Sequence, residues 1–398
     1  MNLQKSYTPQ SFPDDGGPVG AYIHIPFCLS RCNYCAFVSY PFDPRMEDPY
    51  VEAVIREINS ARTSPVFSEN PFPKFLDTIY IGGGTPSVFD PRNIKRLIDT
   101  TEKSFEPVKP LEITVEINPR TYTVDEFLKL REAGVNRISI GAQSLNEQEL
   151  ISMNRFHDGS DFRKIYDDAR SAGFDNISVD LLVGYPGQTL DSCVRSLKGI
   201  VELGPEHLSV YMFELKSGSR IAKMIESNEV RIVSDDLMAD MYETICGELT
   251  SSGFTQYEIS NFCKPGMESK HNLKYWTDQM FLGFGAAAHG MIGSVRYSNL
   301  VNLDDYFEAV RCNRNAIESV LRLNPLTRFK DAMIMGLRKN LGVNLLEMDR
   351  RYSFDSHVYV KQTLNDLEDA ELFFIENDII RLTPKGRLLS NIVFSRFV

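Results

Sequence analysis

Three of the chain's seven cysteines, Cys28, Cys32 and Cys35, lie within eight residues and have the spacing C-x3-C-x2-C. They follow an apolar segment, AYIHIPF (21–27), that has the composition of a β-strand. Three thiolates on one tight loop can ligate three of the four irons of a [4Fe-4S] cluster and leave the fourth iron without a protein ligand. That open iron could bind S-adenosylmethionine through its amino and carboxylate groups, and an electron from the cluster would cleave the sulfonium to give a deoxyadenosyl radical.

Spacing alone leaves two other interpretations of these cysteines. A structural zinc site needs four ligands, usually as two spaced pairs, and His24 would have to be the fourth although it lies inside the apolar segment. The three cysteines could also be inert and buried. The remaining cysteines are scattered and the total is odd, which argues against a disulfide framework and predicts a reducing, cytoplasmic location.

Six apolar segments rich in Val and Ile must position the cysteine loop, and helical patterns separate them. The predicted strands are 21–27, 77–84, 112–119, 137–144, 177–184 and 208–215. The predicted helices include 49–62, 93–104, 123–134 and 161–173. This alternation predicts an α/β fold with a parallel sheet, either open or closed into a full or partial barrel.

Glycines or polar residues lie at the end of each predicted strand. Because the carboxyl ends of parallel strands meet at one edge, these residues should surround the cysteine loop. The glycines of IGGGTPS (81–87) would let the backbone approach a ligand closely. The polar positions are Glu116, Asn118, Gln143, Ser144, Asp180, Tyr211 and Glu214.

The second half of the chain changes character. Residues 234–253 predict an amphipathic helix and residues 255–262 a strand. The last hundred residues predict helices over 326–342 and 357–371, a hairpin turning at 376–378 and a closing helix over 385–397, which resembles a winged-helix arrangement.

Composition restricts the classes of function. The 398 residues are 42% hydrophobic and 24% charged, which is typical of a chain with a large core. A formal net charge of −11 argues against a nucleic-acid binder and against an anionic membrane surface as the main partner. The sequence has no apolar run near the ~20 residues that span a bilayer.

The motifs together resemble a known family. YIHIPFC, the cysteine loop, GGGTP, EINP, GAQS, VDLLVGYPGQT and QYEISNF are similar to radical S-adenosylmethionine (SAM) proteins related to oxygen-independent coproporphyrinogen III oxidase. The resemblance runs from about residue 20 to the C-terminus. It implies an α/β fold: a radical SAM partial (β/α)6 barrel with a C-terminal helical, winged-helix-like domain.

The resemblance also implies roles for individual residues. Cys28, Cys32 and Cys35 would be the cluster ligands. Further residues would contact S-adenosylmethionine; these are Tyr22, Gly83, Gly84, Thr85, Glu116, Gln143, Arg155 and Asp180. The implied division of the chain is a mobile leader (1–19), a radical SAM core (20–235), a connecting region (236–310) and the winged-helix-like domain (311–398).

Two features favour the HemW group, the haem chaperones, over the oxidases. The oxidases carry a further cysteine where this chain has Phe37, and a longer segment before the first strand. The stretch HNLKYW (271–276) matches the H-N-x-x-Y-W pattern of the HemW group, which implies haem binding at His271 and Tyr275. His289 is a second candidate ligand, and a packed, hydrogen-bonded His271 is the alternative to ligation.

The resemblance therefore implies a haem-binding chaperone with a [4Fe-4S] cluster and S-adenosylmethionine. It would deliver haem to haem-requiring respiratory membrane proteins, with peripheral membrane association implied only by those clients; a homodimer is left open. No nucleic-acid partner is expected. The rival functions are coproporphyrinogen III oxidase or another radical enzyme acting on a tetrapyrrole, and a protein whose cluster is only structural or redox-sensing.

Overall fold

The computed structural model describes residues 17–67 and 72–398. Residues 1–16 of the predicted leader lie outside the described residues, and Val19 already belongs to the first strand.

Strands and helices alternate through the first half of the chain. The strands are β1 (Val19–Ile25), β2 (Phe27–Cys28), β3 (Tyr40–Pro41), β4 (Phe75–Gly83), β5 (Glu106–Ile117), β6 (Arg137–Gln143), β7 (Ile177–Val183), β8 (His207–Met212), β9 (Thr255–Gln256), β10 (Asn261–Cys263), β11 (Phe281–Phe284), β12 (His289–Ile292), β13 (Val295–Asn299), β14 (Ile317–Arg322), β15 (Val343–Asn344), β16 (Phe373–Glu376) and β17 (Ile379–Leu382). The helices are α1 (Glu47–Ser60), α2 (Pro91–Ser104), α3 (Val124–Glu132), α4 (Glu147–Ser152), α5 (Gly159–Ser171), α6 (Leu190–Val201), α7 (Arg220–Glu226), α8 (Asp235–Ser251), α9 (Lys270–Trp276), α10 (Leu303–Arg311), α11 (Pro325–Leu337), α12 (Leu345–Tyr352), α13 (Ser356–Thr363), α14 (Pro384–Leu388) and α15 (Ser390–Phe394).

One mixed sheet forms the centre of the molecule, with strand order β14-β13-β12-β11-β1-β4-β5-β6-β7-β8-β10-β9. The six predicted strands are β1 and β4 to β8, and they pair in parallel and in chain order. The predicted α/β fold is confirmed. The sheet does not close on itself through β8, because the free side of β1 is taken by β11, which is also parallel to it.

Local sequence signals explain the helices that flank this sheet. In α2, Asp90 caps the first turn by accepting a hydrogen bond from the Arg92 N–H, and Pro91 occupies the first helical position. Ile94, Leu97 and Ile98 recur at helical spacing and are buried against the sheet.

Three details differ from the sequence prediction. The single strand predicted over 255–262 is instead a hairpin of β9 and β10 with a turn over 257–260, where the Glu258 carboxylate accepts hydrogen bonds from the Ser260 N–H and the Asn261 side chain. The closing helix over 385–397 is divided at Leu389 into α14 and α15. Strands β11 to β14, which extend the sheet beyond β1, were not predicted.

The C-terminal part has its own apolar core, built around Phe329, Met333 and Leu337 of α11. A three-stranded sheet in the order β15-β17-β16 accompanies its helices, and its predicted hairpin turns at Asn377 and Asp378 with positive φ. This is the expected C-terminal helical domain. Within residues 17–67 and 72–398, no helix is both long and apolar enough to cross a membrane.

Candidate functional site

The cysteine loop begins where β1 ends and is held by backbone contacts. The Phe42 N–H donates to the Cys28 carbonyl at 2.9 Å, and the Cys35 N–H donates to the Cys32 carbonyl at 3.2 Å. The Asn33 side-chain amide donates to the Ser152 carbonyl at 2.7 Å, which ties the loop to α4. All three cysteines are partly exposed and carry no disulfide.

Arg155 lies beside the thiols. Its Nη1 is 3.5 Å from the Cys32 Sγ, and its Nη2 donates to the Asn118 Oδ1 at 2.5 Å and to the Gly141 carbonyl at 2.8 Å. Its Nε is buried without a hydrogen-bond partner. The structure thus places a fixed positive charge against the group of atoms that would carry thiolate charge, which suits an anionic cluster or a carboxylate.

Burial makes two of the free thiols, those of Cys28 and Cys35, poor anions. It raises the pKa of Cys28 to about 11 and also raises the pKa of Cys35. A bound metal displaces such protons, because coordination stabilises the thiolate directly. Among the described residues no group of three or more Cys, His, Asp or Glu side chains lies at distances that hold a metal ion. The assignment of the three cysteines as cluster ligands therefore stays a prediction, and their shared loop and the adjacent guanidinium fit it.

The GGGTP segment lies directly against this loop. The Gly84 N–H donates to the Ile25 carbonyl at 2.8 Å. A Cβ at Gly84 would lie 2.6 Å from the Phe27 carbonyl oxygen and 3.0 Å from the Cys28 Sγ, so only glycine allows this approach. The adjacent Thr85 is buried and accepts a hydrogen bond from the Asn118 Nδ2 at 2.9 Å.

Glu116 at the end of β5 fixes the same segment. Its Oε1 accepts from the Tyr80 hydroxyl at 2.8 Å and its Oε2 from the Gly83 N–H at 3.0 Å. Burial raises the pKa of Glu116 to about 7, with a further rise from nearby Asp180 that the two hydrogen bonds only partly offset. An ammonium group bound here would favour the ionised carboxylate.

Replacing Glu116 with Gln should change the pH dependence of stability. The pKa of Glu116 lies near 7 when folded and near 4.5 in an unfolded chain, so the native state holds the proton more tightly. The contribution of Glu116 to the free energy of unfolding is therefore fully present below about pH 4.5 and is lost as the pH rises through 7. We compare the free energy of unfolding of Glu116→Gln with that of wild type. We expect this difference to shift in favour of the variant by on the order of 2 kcal/mol between pH 4.5 and pH 8.

Urea unfolding at both pH values measures this difference. Glu132→Gln, at an exposed position on α3, is the matched control and should show no pH-dependent gain. An equal response of the two variants would contradict the assignment of a protonated Glu116.

The other predicted S-adenosylmethionine residues lie along the same edge of the sheet. Gln143 ends β6 with a φ of 64°. The side chains of Gln143, Asn118 and Arg155 converge on Gly141, and each would lie within 3.3 Å of a Cβ at that position. Asp180 on β7 accepts from the Ser139 hydroxyl at 3.1 Å. These side chains are brought together around the cysteine loop, and their contacts with S-adenosylmethionine stay predictions.

Tyr22 lies close to two residues that were not predicted to belong to the S-adenosylmethionine site, His24 and Tyr80. The Tyr22 hydroxyl is 2.8 Å from the His24 Nδ1, and its ring lies 6.1 Å from that of Tyr80. A Cβ on Gly83 would be 2.6 Å from the His24 ring. His24 was predicted only as a possible zinc ligand, and Tyr80 was not predicted to belong to the site. The sequence carries a signal for both, because alternate residues of a strand share a face, which puts His24 with Tyr22 and Tyr80 with Gly82.

His271 and Tyr275 belong to α9, which is packed against the strands of the barrel. The His271 Nδ1 is 2.8 Å from the Thr78 hydroxyl and its Nε2 is 2.9 Å from the Tyr275 hydroxyl. Burial lowers the pKa of His271 to about 3, so the ring is neutral. The geometry favours the packed, hydrogen-bonded interpretation, since ligation of iron by His271 would require one of these two hydrogen bonds to break.

Comparison with known proteins agrees with this architecture. Residues 22–199 match the radical SAM superfamily model, and residues 323–389 match the HemN C-terminal domain. The heme chaperone HemW of Bacillus subtilis is 35% identical over 381 residues, which cover 95% of this chain and 98% of that protein. The heme chaperone HemW of Lactococcus lactis is 33% identical, with 96% and 97% covered.

A solved structure shows the same fold over almost the whole chain. Coproporphyrinogen III oxidase (HemN) from Escherichia coli, a radical SAM enzyme, superposes with a TM-score of 0.82 at 25% sequence identity, and the match covers 97% of this chain and 91% of the other. The fold, the motifs and the similarity over nearly the full length of both HemW proteins agree. This chain belongs to the radical SAM superfamily and, within it, to the HemW family.

Proposed function

We propose that this protein is a haem chaperone that carries a [4Fe-4S] cluster and S-adenosylmethionine and delivers haem to respiratory membrane enzymes. The observation that carries the proposal is the similarity to two heme chaperones over nearly the full length of both chains. Both the radical SAM region and the C-terminal domain lie within that similarity. When bound, the cluster would supply the electron that cleaves S-adenosylmethionine.

The residues of this chain have separate roles in the proposal. Cys28, Cys32 and Cys35 would hold the cluster on a loop tied down at Asn33. Gly83 and Gly84 would let the backbone approach the amino-acid end of S-adenosylmethionine. Carboxylates and the Arg155 guanidinium would hold its ammonium and carboxylate groups by charge-assisted hydrogen bonds.

An oxidase acting on coproporphyrinogen III is the second candidate, and the superposition on HemN favours it. Phe37 stands where the resemblance expects the oxidases to carry a cysteine, and its side chain is 70% exposed. A phenylalanine at that position supplies no thiol. We therefore rank the chaperone first, with the protein acting in the cytoplasm and approaching membranes through its clients.

Haem titration of the anaerobically reconstituted protein tests the proposal. We expect a saturable Soret band and loss of that band when a haem-free respiratory oxidase in detergent is added, with the oxidase gaining the haem. Incubation with dithionite, S-adenosylmethionine and coproporphyrinogen III is the parallel experiment. Absence of a saturable Soret band, or accumulation of protoporphyrinogen, would overturn the chaperone assignment.

A further inference from the structure

The six histidines of the chain all lie in the described residues, and only one is both exposed and without a hydrogen bond. Four of them are buried: His24, His157, His207 and His271. His357 is on α13 and pairs with Asp378 of the C-terminal hairpin, with 3.0 Å between its Nε2 and the carboxylate. His289, the first residue of β12, is exposed.

Two of the four buried imidazoles are hydrogen-bonded through both ring nitrogens. His207 is bound through both ring nitrogens, to the Ser178 and Tyr257 hydroxyls, each at 2.8 Å. His271 is bound through both nitrogens as well. An axial ligand must offer iron a free, neutral nitrogen, so these two rings cannot serve as they stand.

The backbone that carries His289 is rigidly fixed. The Gly285 N–H donates to the buried Glu57 carboxylate at 2.8 Å, and the Ala286 N–H donates to the Tyr50 hydroxyl at 3.0 Å. A Cβ on Gly283 would lie 2.0 Å from the His289 carbonyl oxygen, so glycine is required for the two strands to meet. Tyr50 also donates to the His24 carbonyl at 2.7 Å, which joins this loop to β1.

The same contacts place His289 beside the predicted cofactor site. His289 lies directly beside Gly283 of β11, and Gly283 pairs with Tyr22 of β1, so only one strand separates His289 from this predicted S-adenosylmethionine contact. The His24 Nε2 is buried and has no hydrogen-bond partner. His24 in turn lies against Gly83 and precedes the cysteine loop by four residues. A flat macrocycle at His289 would thus lie next to the S-adenosylmethionine end of the barrel.

We propose that His289, not His271, is the axial ligand through which this protein binds haem iron; the inference rests on the proposed haem-chaperone function. A rigid backbone fixes the position of the ligand, and an exposed imidazole lets cargo enter and leave without opening the core. Transfer exchanges one iron–nitrogen bond for another and needs no electron.

Titration of haemin into the reconstituted holoprotein tests the ligand. We expect His289→Ala to weaken haemin binding by more than about tenfold, because even partners outside the coordination shell change metal affinity by about 10–100-fold. Added imidazole should restore the wild-type Soret position in His289→Ala. His289→Met should bind haemin with a different Soret position, since a thioether replaces the imidazole. His357→Ala, whose histidine lies on the C-terminal domain, is the matched control.

The outcomes separate the two proposals. If wild-type protein shows no saturable haemin binding, the proposed function itself is wrong. If wild type binds haemin and His289→Ala binds it with the same affinity and the same Soret position, the ligand assignment is overturned while the function stands. The assignment is equally overturned if His271→Gln, with thermal unfolding like wild type, abolishes the Soret band and His289→Ala does not.

Discussion

Replacing Cys32 with Ala should abolish cluster loading, and with it any cleavage of S-adenosylmethionine. The loop offers three thiols, and loss of one leaves two irons rather than one without a protein ligand. The Cys32 Sγ also lies 3.5 Å from the Arg155 Nη1, so the substitution removes this hydrogen bond between the loop and the guanidinium. We expect iron and acid-labile sulfide to fall to background after anaerobic reconstitution, and no 5′-deoxyadenosine to form.

Cys312→Ala is the matched control for this experiment. Cys312 is exposed at the end of α10 and lies outside the cysteine loop. Its replacement should leave iron content and 5′-deoxyadenosine formation as in wild type. A Cys32→Ala protein that still loads a full cluster, or a wild-type loop that takes up zinc and resists iron and sulfide, would contradict the cluster assignment.

Replacing Lys274 of the HNLKYW stretch with Met should cause a large loss of stability. Lys274 is almost completely buried, and its Nζ lies 2.7 Å from the Asp77 Oδ1 and donates to the Pro18 carbonyl at 2.9 Å. Burial lowers the pKa of Lys274 and raises that of Asp77, and each charge offsets the penalty on the other. Removing the lysine leaves a carboxylate without its counter-charge, at a cost of about 3–5 kcal/mol.

Urea unfolding followed by circular dichroism measures this loss. Lys95→Met removes the cation of an exposed pair with Asp99 on α2, and it should cost less than about 1 kcal/mol. A combined Lys274→Met and Asp77→Leu variant should recover much of the lost stability, since no buried charge is then left alone. Similar losses for Lys274→Met and Lys95→Met would show that the buried pair does not hold α9 in place.

The parts of the fold that follow from local pattern were predictable. Val, Ile and Gly patterning located the six parallel strands because each has a mostly buried apolar segment, although β5 begins six residues before the predicted 112. Strands β11 and β12 were missed because each has only four residues and they meet through a close glycine contact of Gly283 against His289. Strand β14 was missed because it is almost entirely exposed and lacks the apolar pattern of a buried strand.

The site divides in the same way. The spacing of Cys28, Cys32 and Cys35 is local and can be read directly, whereas the state of His271 depends on Thr78, which lies far away in sequence. His271 and Tyr275 are four residues apart in HNLKYW, a spacing that puts them on the same face if the stretch is helical. The structure has this helix, α9, and the two side chains are in contact. Sequence could not show that both imidazole nitrogens are engaged, because one partner comes from β4.

The pairing of β1 with β11 also sets the order in which the polypeptide can acquire its native form. During synthesis β1 emerges first, yet its neighbour on one side is Phe281–Phe284. Until β11 has been synthesised, one side of β1 presents unpaired peptide groups to other chains. A fragment ending at residue 235 would expose the same row, so expression trials should retain the chain through β13 and expect such truncations to aggregate.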